Sequence, residues 1–332
     1  MKKALVTGAA GFIGSHVVKE LLDDNVDVRA FLRPGESRQN LDGLDVEIME
    51  GDLLDKDAVG KAVNGMDTLF HLAAVYAIWM KNWQSIYEVN IQGSRNILWA
   101  ALKAGVNRVV YTSSIAALGV APGKQPGDED TPFNQYDLGN HYVLTKYLSQ
   151  QEALGFAANG LDLVVVNPAF PFGANDIAPT PTGQIIIDIC NGINRYSFNG
   201  GFNVVDVRDV AKGHILAAKK GKTGEKYILG NMNLTMPDFM HLVNGAVGRE
   251  NRFTVKIPAR LLQAGTYFLK GWSDHVSHKP PMSTPPEIKY ASQYLYVDNA
   301  KARNELGLEL TPIDESIDRA IEWFRKNRYI RI

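Results

Sequence analysis

Through the first half of the chain, short apolar runs alternate with longer stretches of helical periodicity. The runs 3–7, 26–32, 46–50, 68–72, 109–113 and 163–167 predict strands, and 15–24, 56–63, 85–104 and 136–158 predict helices. Strongly apolar strands separated by helices imply a parallel sheet covered on both faces and joined by right-handed crossovers. Ligands of such sheets bind beyond the carboxyl ends of the strands, so the residues just after each strand are where chemistry is expected.

After Pro168 the pattern loosens. Residues 175–183 are rich in Pro, Thr and Gly; helices are expected at 184–191, 210–219, 236–247, 298–305 and 313–326, with strands at 204–207 and 227–229. The stretch 274–286 carries four prolines and reads as extended. The apolar stretch 261–269 reads as a helix buried against the first half rather than a membrane contact. The expectation is an α/β, Rossmann-type doubly wound parallel sheet with a smaller, interleaved C-terminal substrate lobe. Residues 1–170 would bind a dinucleotide and 171–332 mainly the substrate, with 203–230 and 298–332 packing back on the first unit.

The most informative segment is Ala4-Leu5-Val6-Thr7-Gly8-Ala9-Ala10-Gly11-Phe12-Ile13-Gly14. A strand runs into three evenly spaced glycines, and a helix follows. Gly8 permits the tight turn, Gly11 lets backbone approach a pyrophosphate, and Gly14 lets the helix pack on the strand. The phosphates then meet the helix N-terminus. Glycines alone would also suit a loop needing positive φ; the strand before and helix after favour the dinucleotide.

Composition narrows the partners. The 332 residues are 45% hydrophobic with net charge -1, which gives no electrostatic case for nucleic acid. No leader or spanning segment is apparent, and the single cysteine, Cys190, precludes an internal disulfide, so a cytoplasmic setting is expected. The seven histidines are scattered and His275/His278 lack supporting acids, so no metal is expected.

Tyr142 and Lys146 lie four residues apart, on one face of the expected helix 136–158. An ammonium beside a phenol favours phenolate and suits proton exchange, although a surface Tyr and Lys share that spacing. Tyr111-Thr112-Ser113-Ser114 ends the fifth expected strand, where a hydroxyl either meets a substrate oxygen or caps the next turn; Ser114, farthest from the strand body, is the better catalytic candidate.

Taken together, these motifs resemble the extended short-chain dehydrogenase/reductase superfamily over essentially the whole chain. Gly51-Asp52-Leu53, His71-Leu72-Ala73-Ala74, Asn90, Asn167-Pro168, and the run from Asp298 to Trp323-Phe324 carry the resemblance further. It implies catalytic Ser114, Tyr142 and Lys146. It implies cofactor contacts from Thr7, Gly8, Gly11, Phe12, Ile13, Gly14, Asp52, Leu53, Ala73, Ala74, Tyr142, Lys146, Pro168 and Phe170. Asp52 would bond the adenine unless it caps the following helix, Lys146 would hold the nicotinamide ribose and lower the tyrosine, and Asn90 would support the site. Homodimerisation through helices 85–104 and 136–158 is common in the superfamily.

The second strand ends in Phe31-Leu32-Arg33-Pro34, with Arg38 beyond. Arginine suits a 2′-phosphate, so NADP (as NADPH) is favoured over NAD, with a solvated arginine as the plain reading; Glu36 would reverse the preference if its loop folds inward. Two groups of the superfamily are similar, dihydroflavonol-4-reductase-like proteins and hopanoid-associated sugar epimerases. At 205–209 the chain departs from the superfamily's pattern, Asp206 and Arg208 standing where His and Asp are usual; Asp209 is expected to cap the next helix.

The leading expectation is an NADPH-dependent oxidoreductase reducing a small-molecule ketone or aldehyde. Tyr76, Trp79, Met80 and Ser114 would line its pocket, with Phe170, and the aromatics suit an apolar or planar substrate or else inter-lobe packing. The alternative, an NAD-dependent nucleotide-sugar epimerase, needs a diphosphate clamp, for which Arg195, Arg249, Arg252 and Arg260 are available. A non-catalytic NADP-binding sensor or scaffold is the reading of another class, and retention of Tyr142 and Lys146 argues against it.

Overall fold

The computed structural model describes the chain apart from Ile78, Lys81, Asn194, Arg195, Phe198, residues 250–254, His278, Pro280, Met282 and Ile332. The side chains of Tyr196, Ser197, Val255, Lys256, Ala259, Arg260, His275 and Ser277 likewise lie outside the description. Arg195, Arg252, Arg260 and the His275/His278 pair, singled out in the sequence, therefore fall outside it.

Seven parallel strands form the central sheet: β1 (Lys3–Thr7), β2 (Asp27–Leu32), β3 (Glu47–Glu50), β4 (Thr68–His71), β5 (Arg108–Thr112), β6 (Leu163–Pro168) and, from the second half, β10 (Lys226–Leu229). Their order is β10-β6-β5-β4-β1-β2-β3, reversing direction of growth between β1 and β4. That switch point opens a crevice at the strand ends, where the glycine loop, His71 and Thr112 all emerge.

Helices α1 (Phe12–Asp23) and α7 (Val207–Lys220) pack together on one face, with Val17, Val18, Leu21, Val210 and Ile215 in a common core. On the other face lie α2 (Lys56–Val63), the short α3 (Gln84–Tyr87), a π-helical turn Glu88–Gly93, α4 (Ser94–Ala104) and α5 (His141–Ala158), whose Val59, Ile97, Leu98, Ala153 and Phe156 form the second core. The expected helix 85–104 is thus three joined pieces. The expected helix 136–158 is also shorter: Gly139 adopts φ 70, and Asn140 starts α5 by accepting the Val143 N–H.

The second half adds a four-stranded sheet of β7 (Phe170–Phe172), β9 (Gly201–Asp206), β11 (Met232–Thr235) and β13 (Tyr294–Leu295). A two-stranded pair joins β8 (Tyr196–Ser197) and β12 (Val255–Lys256). Phe172, Phe202, Phe239 and Phe324 centre a third core with α6 (Pro181–Cys190), α8 (Met236–Ala246) and α11 (Ile313–Lys326).

Three expectations are corrected here. Asp206, not Asp209, caps α7, accepting the Arg208 N–H at 2.8 Å; Asp209 lies one turn in and binds the Thr311 N–H and hydroxyl. Arg208 and Arg319 both pair with Asp206, and with Ser316 they hold its carboxyl below the usual range despite burial. The stretch 274–286 is not simply extended: a helical turn, Ser273–Ser277, continues α9 (Ala259–Trp272), and α10 (Pro285–Ala291) begins within it. Nor is 261–269 buried, since Leu261, Tyr267, Phe268 and Leu269 are all exposed.

Two buried histidines tie the sheet to its helices. His214 bonds Thr112 Oγ1 and the Val210 carbonyl, and His71 bridges Thr7 and Ser94. Burial lowers them to about 4 and about 3. Unfolding lets each take a proton near its ordinary value, so stability should fall as pH drops below about 6.5, down to the folded values. Each contributes up to about 1.4 kcal/mol per pH unit in its window. Urea melts of the wild type and His214→Gln across pH 4–6.5 check this; equal slopes would contradict it.

Candidate active site

The glycine loop gives each glycine a different physical reason. Gly8 has φ 69, and a Cβ there would lie 2.9 Å from the Ala73 nitrogen. A Cβ on Gly14 would stand 2.0 Å from the Gly8 carbonyl oxygen, so helix and loop touch only because it is absent. At Gly11 the nearest such contact is the Gly8 oxygen at 3.2 Å, so protein packing alone makes little demand for glycine. No side chain caps α1, and no acid stands in its first turn, which carries Phe12 and Ile13. A bare helix N-terminus behind a side-chain-free loop fits a dinucleotide pyrophosphate.

Thr7 supports this loop from below. Its hydroxyl bonds His71 Nδ1 at 2.8 Å and accepts the Ala73 N–H at 3.2 Å, joining the ends of β1 and β4. Asn40, which sequence reasoning passed over, ties the Ala10 carbonyl to that of Asn175, and His16 bonds the Ala174 carbonyl. The segment after β7 is thereby strapped to the glycine loop. Their only sequence signal was polarity next to apolar runs.

At the end of β2, Arg33 is exposed and Glu36 folds inward, accepting the Arg33 N–H at 3.0 Å. Arg38 pairs with Glu50 at 2.7 Å. Asp55 caps α2, whereas Asp52 is exposed and, among the described residues, receives only the Leu54 N–H, on one of its two oxygens. Leu53 is buried, its carbonyl held by Asn96. Beyond β4, Ala73 abuts Gly8 and Ala74 is exposed. Asn90 exchanges two hydrogen bonds with the Val75 backbone and donates a third to Thr145, fastening that segment to α5.

Lys146 belongs to the buried stripe of α5 and donates to the Thr112 carbonyl at 3.1 Å. Burial lowers it to about 8. Tyr142, one turn earlier, is pushed up to about 12 by burial, against a pull down from the Ser114 hydroxyl. The phenol is thus raised rather than lowered as expected: removal from water dominates, and Lys146 donates to the Thr112 carbonyl. Ser114 also accepts the Ala116 N–H at 3.1 Å, so it caps the following turn as well as standing beside Tyr142.

Tyr76 packs edge-on against Tyr142, ring centres 4.6 Å apart. Trp79 donates its indole N–H to Asp274 at 3.0 Å, and Met80 is half-buried nearby in sequence. Pro168 ends β6, and Phe170 meets Phe202 at 5.4 Å between the first and third cores. Sequence reasoning missed Tyr290 of α10, which joins Tyr142 in an apolar cluster with Leu138 and Val143. A signal existed: Thr284-Pro-Pro-Glu287 reads as a capping box, and Glu287 does accept the Thr284 N–H. The other available clamp residue, Arg249, reaches the Cys190 carbonyl.

A glycine loop at a switch point, with Tyr142, Lys146 and Ser114 gathered at the end of β5, is the constellation of a nicotinamide-dependent enzyme. The chain belongs to the NAD dependent epimerase/dehydratase family, whose sequence profile matches residues 4–230. It is 37% identical to the "Putative dihydroflavonol 4-reductase" of Synechocystis, over 98% of this chain and 95% of that one. It is 34% identical to sterol demethylase protein B of Methylococcus capsulatus, over 98% and 99%. The crystal structure of gox2253 superposes with a TM-score of 0.88 at 36% identity, covering 100% of both chains. The protein is an NAD(P)-dependent oxidoreductase of the extended short-chain dehydrogenase/reductase type.

Proposed function

We propose that this protein reduces the carbonyl of an apolar small molecule with NADPH. One observation carries the reading: a buried phenol stands beside the Ser114 hydroxyl, one helical turn from a buried lysine. When bound, reduced nicotinamide supplies the hydride to the carbonyl carbon. Ser114 fixes the carbonyl oxygen, and Tyr142 gives its proton to that oxygen as negative charge develops. Lys146, already aimed at the β5 end, holds the ribose and stabilises the phenolate left behind. Gly8, Gly11, Phe12, Ile13 and Gly14 present backbone to the pyrophosphate, with Thr7 beneath them. Asp52 and Leu53 meet the adenine, and Ala73, Ala74, Pro168 and Phe170 flank the nicotinamide.

Tyr76, Tyr290 and, farther out, Trp79 and Met80 give the pocket an apolar wall. The words dihydroflavonol and sterol in the relatives' names both denote ring systems with broad apolar faces, in keeping with that wall. Residues 1–170 act chiefly on the cofactor and 171–332 on the substrate, with 203–230 and 298–332 packed back on the first unit. A self-association surface is offered by the groove between α4 and α5, lined by Arg95, Trp99, Leu102, Gln151, Glu152 and Phe156. Trp99→Arg should convert a dimer to a monomer in sedimentation velocity.

For the cofactor, Arg33 carries the preference. Its exposed guanidinium can pair with a 2′-phosphate: Glu36 does fold inward, but its carboxylate accepts the Arg33 N–H and lies 4.0 Å from Arg33 Nε, so its charge is met by that arginine rather than offered to a ribose hydroxyl. Arg33→Ala is expected to weaken NADPH binding about 10–100-fold, the range of a charge-assisted hydrogen bond, and to leave NADH nearly unchanged. Fluorescence titration of both cofactors checks this; equal losses would contradict it.

Mass spectrometry of molecules released on denaturation, with NADPH and NADH titration of the stripped protein, tests the reaction class. A readily exchanged site preferring NADPH supports the reductase. Tightly retained NAD supports an epimerase that returns its hydride to the same substrate.

A further inference from the structure

Helix α9 is built inside out. Thr266 and the following Ser273 face the protein, 6% and 4% exposed, whereas Leu261, Phe268 and Trp272 are 66%, 74% and 54% exposed. Spacings of seven and four residues put these three large side chains on one outward stripe, where Ala264 and Gly265 are also exposed. The stripe runs about 16 Å, at 1.5 Å per residue. Val276 extends it, and Tyr267 and Leu269 flank it. A soluble surface helix ordinarily turns such residues inward, so this face calls for a partner.

The charges say which. From Asn251 to Ser273 the sequence holds Arg252, Lys256, Arg260 and Lys270 and no acidic residue. The chain as a whole has net charge -1, so this is a local basic region. Asp274, the first acid afterwards, is bonded to Lys270 and to the Trp79 indole. A second copy would bring the same cation-rich sequence against itself. An aromatic, apolar stripe on a stretch of sequence whose cations outnumber its acids matches the headgroup boundary of an anionic bilayer, where Trp and Tyr anchor and Lys and Arg meet phosphate. Among the described residues no helix is long and apolar enough to cross a membrane, so the helix would lie on the surface.

We propose that α9 seats the protein on anionic phospholipid bilayers through Leu261, Phe268 and Trp272. The attachment point adjoins the site described above. Asp274 at the end of α9 is bonded to Trp79, and α10, which packs on α9, carries Tyr290 to the Tyr142 cluster. A substrate dissolved in the bilayer would therefore meet the pocket without crossing water. The docking itself stands whether the reaction is a reduction or an epimerisation.

The experiment is co-sedimentation of the full chain with phosphatidylcholine vesicles, with and without phosphatidylglycerol, at low and high salt. The protein should pellet with the phosphatidylglycerol vesicles and be released by salt. Phe268→Glu/Trp272→Glu should weaken pelleting at least about tenfold, with melting temperature and NADPH binding unchanged. Brominated lipid should quench wild-type tryptophan fluorescence more than that of Trp272→Phe, which keeps the test open if the double variant fails to fold. Failure to pellet at low salt, or equal pelleting or equal quenching of wild type and variant, would overturn the proposal. So would conversion of a dimer to a monomer by the double variant, which would give this face to a second copy.

Discussion

Tyr142→Phe is expected to lower kcat about 10³-fold while leaving NADPH affinity within a factor of two, the size of effect general acids commonly supply. The reasoning starts from the phenol's setting. The phenol carries its proton at neutral pH, burial pushing it further up, to about 12, and the Ser114 hydroxyl is the group that favours its loss. Phenylalanine keeps the ring that packs against Tyr76 and Tyr290 and removes only the hydroxyl. Stopped-flow loss of NADPH absorbance on mixing with substrate checks the chemical step, and cofactor titration checks binding. Unchanged turnover would give the proton to another group.

Gly14→Ala and Gly11→Ala should part company. The new methyl at residue 14 would sit 2.0 Å from a backbone oxygen, which no rotamer can relieve. The helix must move off the loop, at a cost of about 4 kcal/mol and roughly 10 °C in melting temperature. At residue 11 the methyl meets the Gly8 oxygen at 3.2 Å, a contact that a shift of a few tenths of an ångström relieves. Gly11→Ala should therefore melt within about 2 °C of wild type, because relief this small costs well under 1 kcal/mol, and still bind NADPH at least 10-fold more weakly. Calorimetry and titration on the two variants check this. Equal loss of stability would mean that Gly11 serves packing, not a ligand.

The parts of this molecule readable from its sequence are those governed by local rules. Strand and helix alternation marks the sheet because buried parallel strands must be apolar, and the glycine loop announces itself because three evenly spaced glycines stand between a strand and a helix. The Tyr142–Lys146 spacing follows from one helical turn. What stayed hidden depends on distant parts of the chain. Tyr290 reaches Tyr142 only after α10 folds back across nearly 150 residues, and Asn40 meets Asn175 across 135. Asp206 displaced Asp209 as the cap of α7 because β9 runs to Asp206 itself, so the first helical residue is Val207. Helix α9 misled for a different reason: an amphipathic pattern gives the two faces of a helix but not which one is turned outward.

The return of the chain at β10 sets how this protein can be divided. Strand β6 is buried along all six residues and is flanked by β5 on one side and β10 on the other. A fragment ending near residue 170 would keep every cofactor loop, yet it would bare the full hydrogen-bonding edge of a Val-rich strand and uncover the apolar side chains that α7 shields. Such an edge recruits other strands, so the fragment would associate rather than stay in solution. The nucleotide-binding portion is thus not a detachable module. Swapping second halves between relatives must carry β10 and α7 with the first half, or the sheet itself is lost.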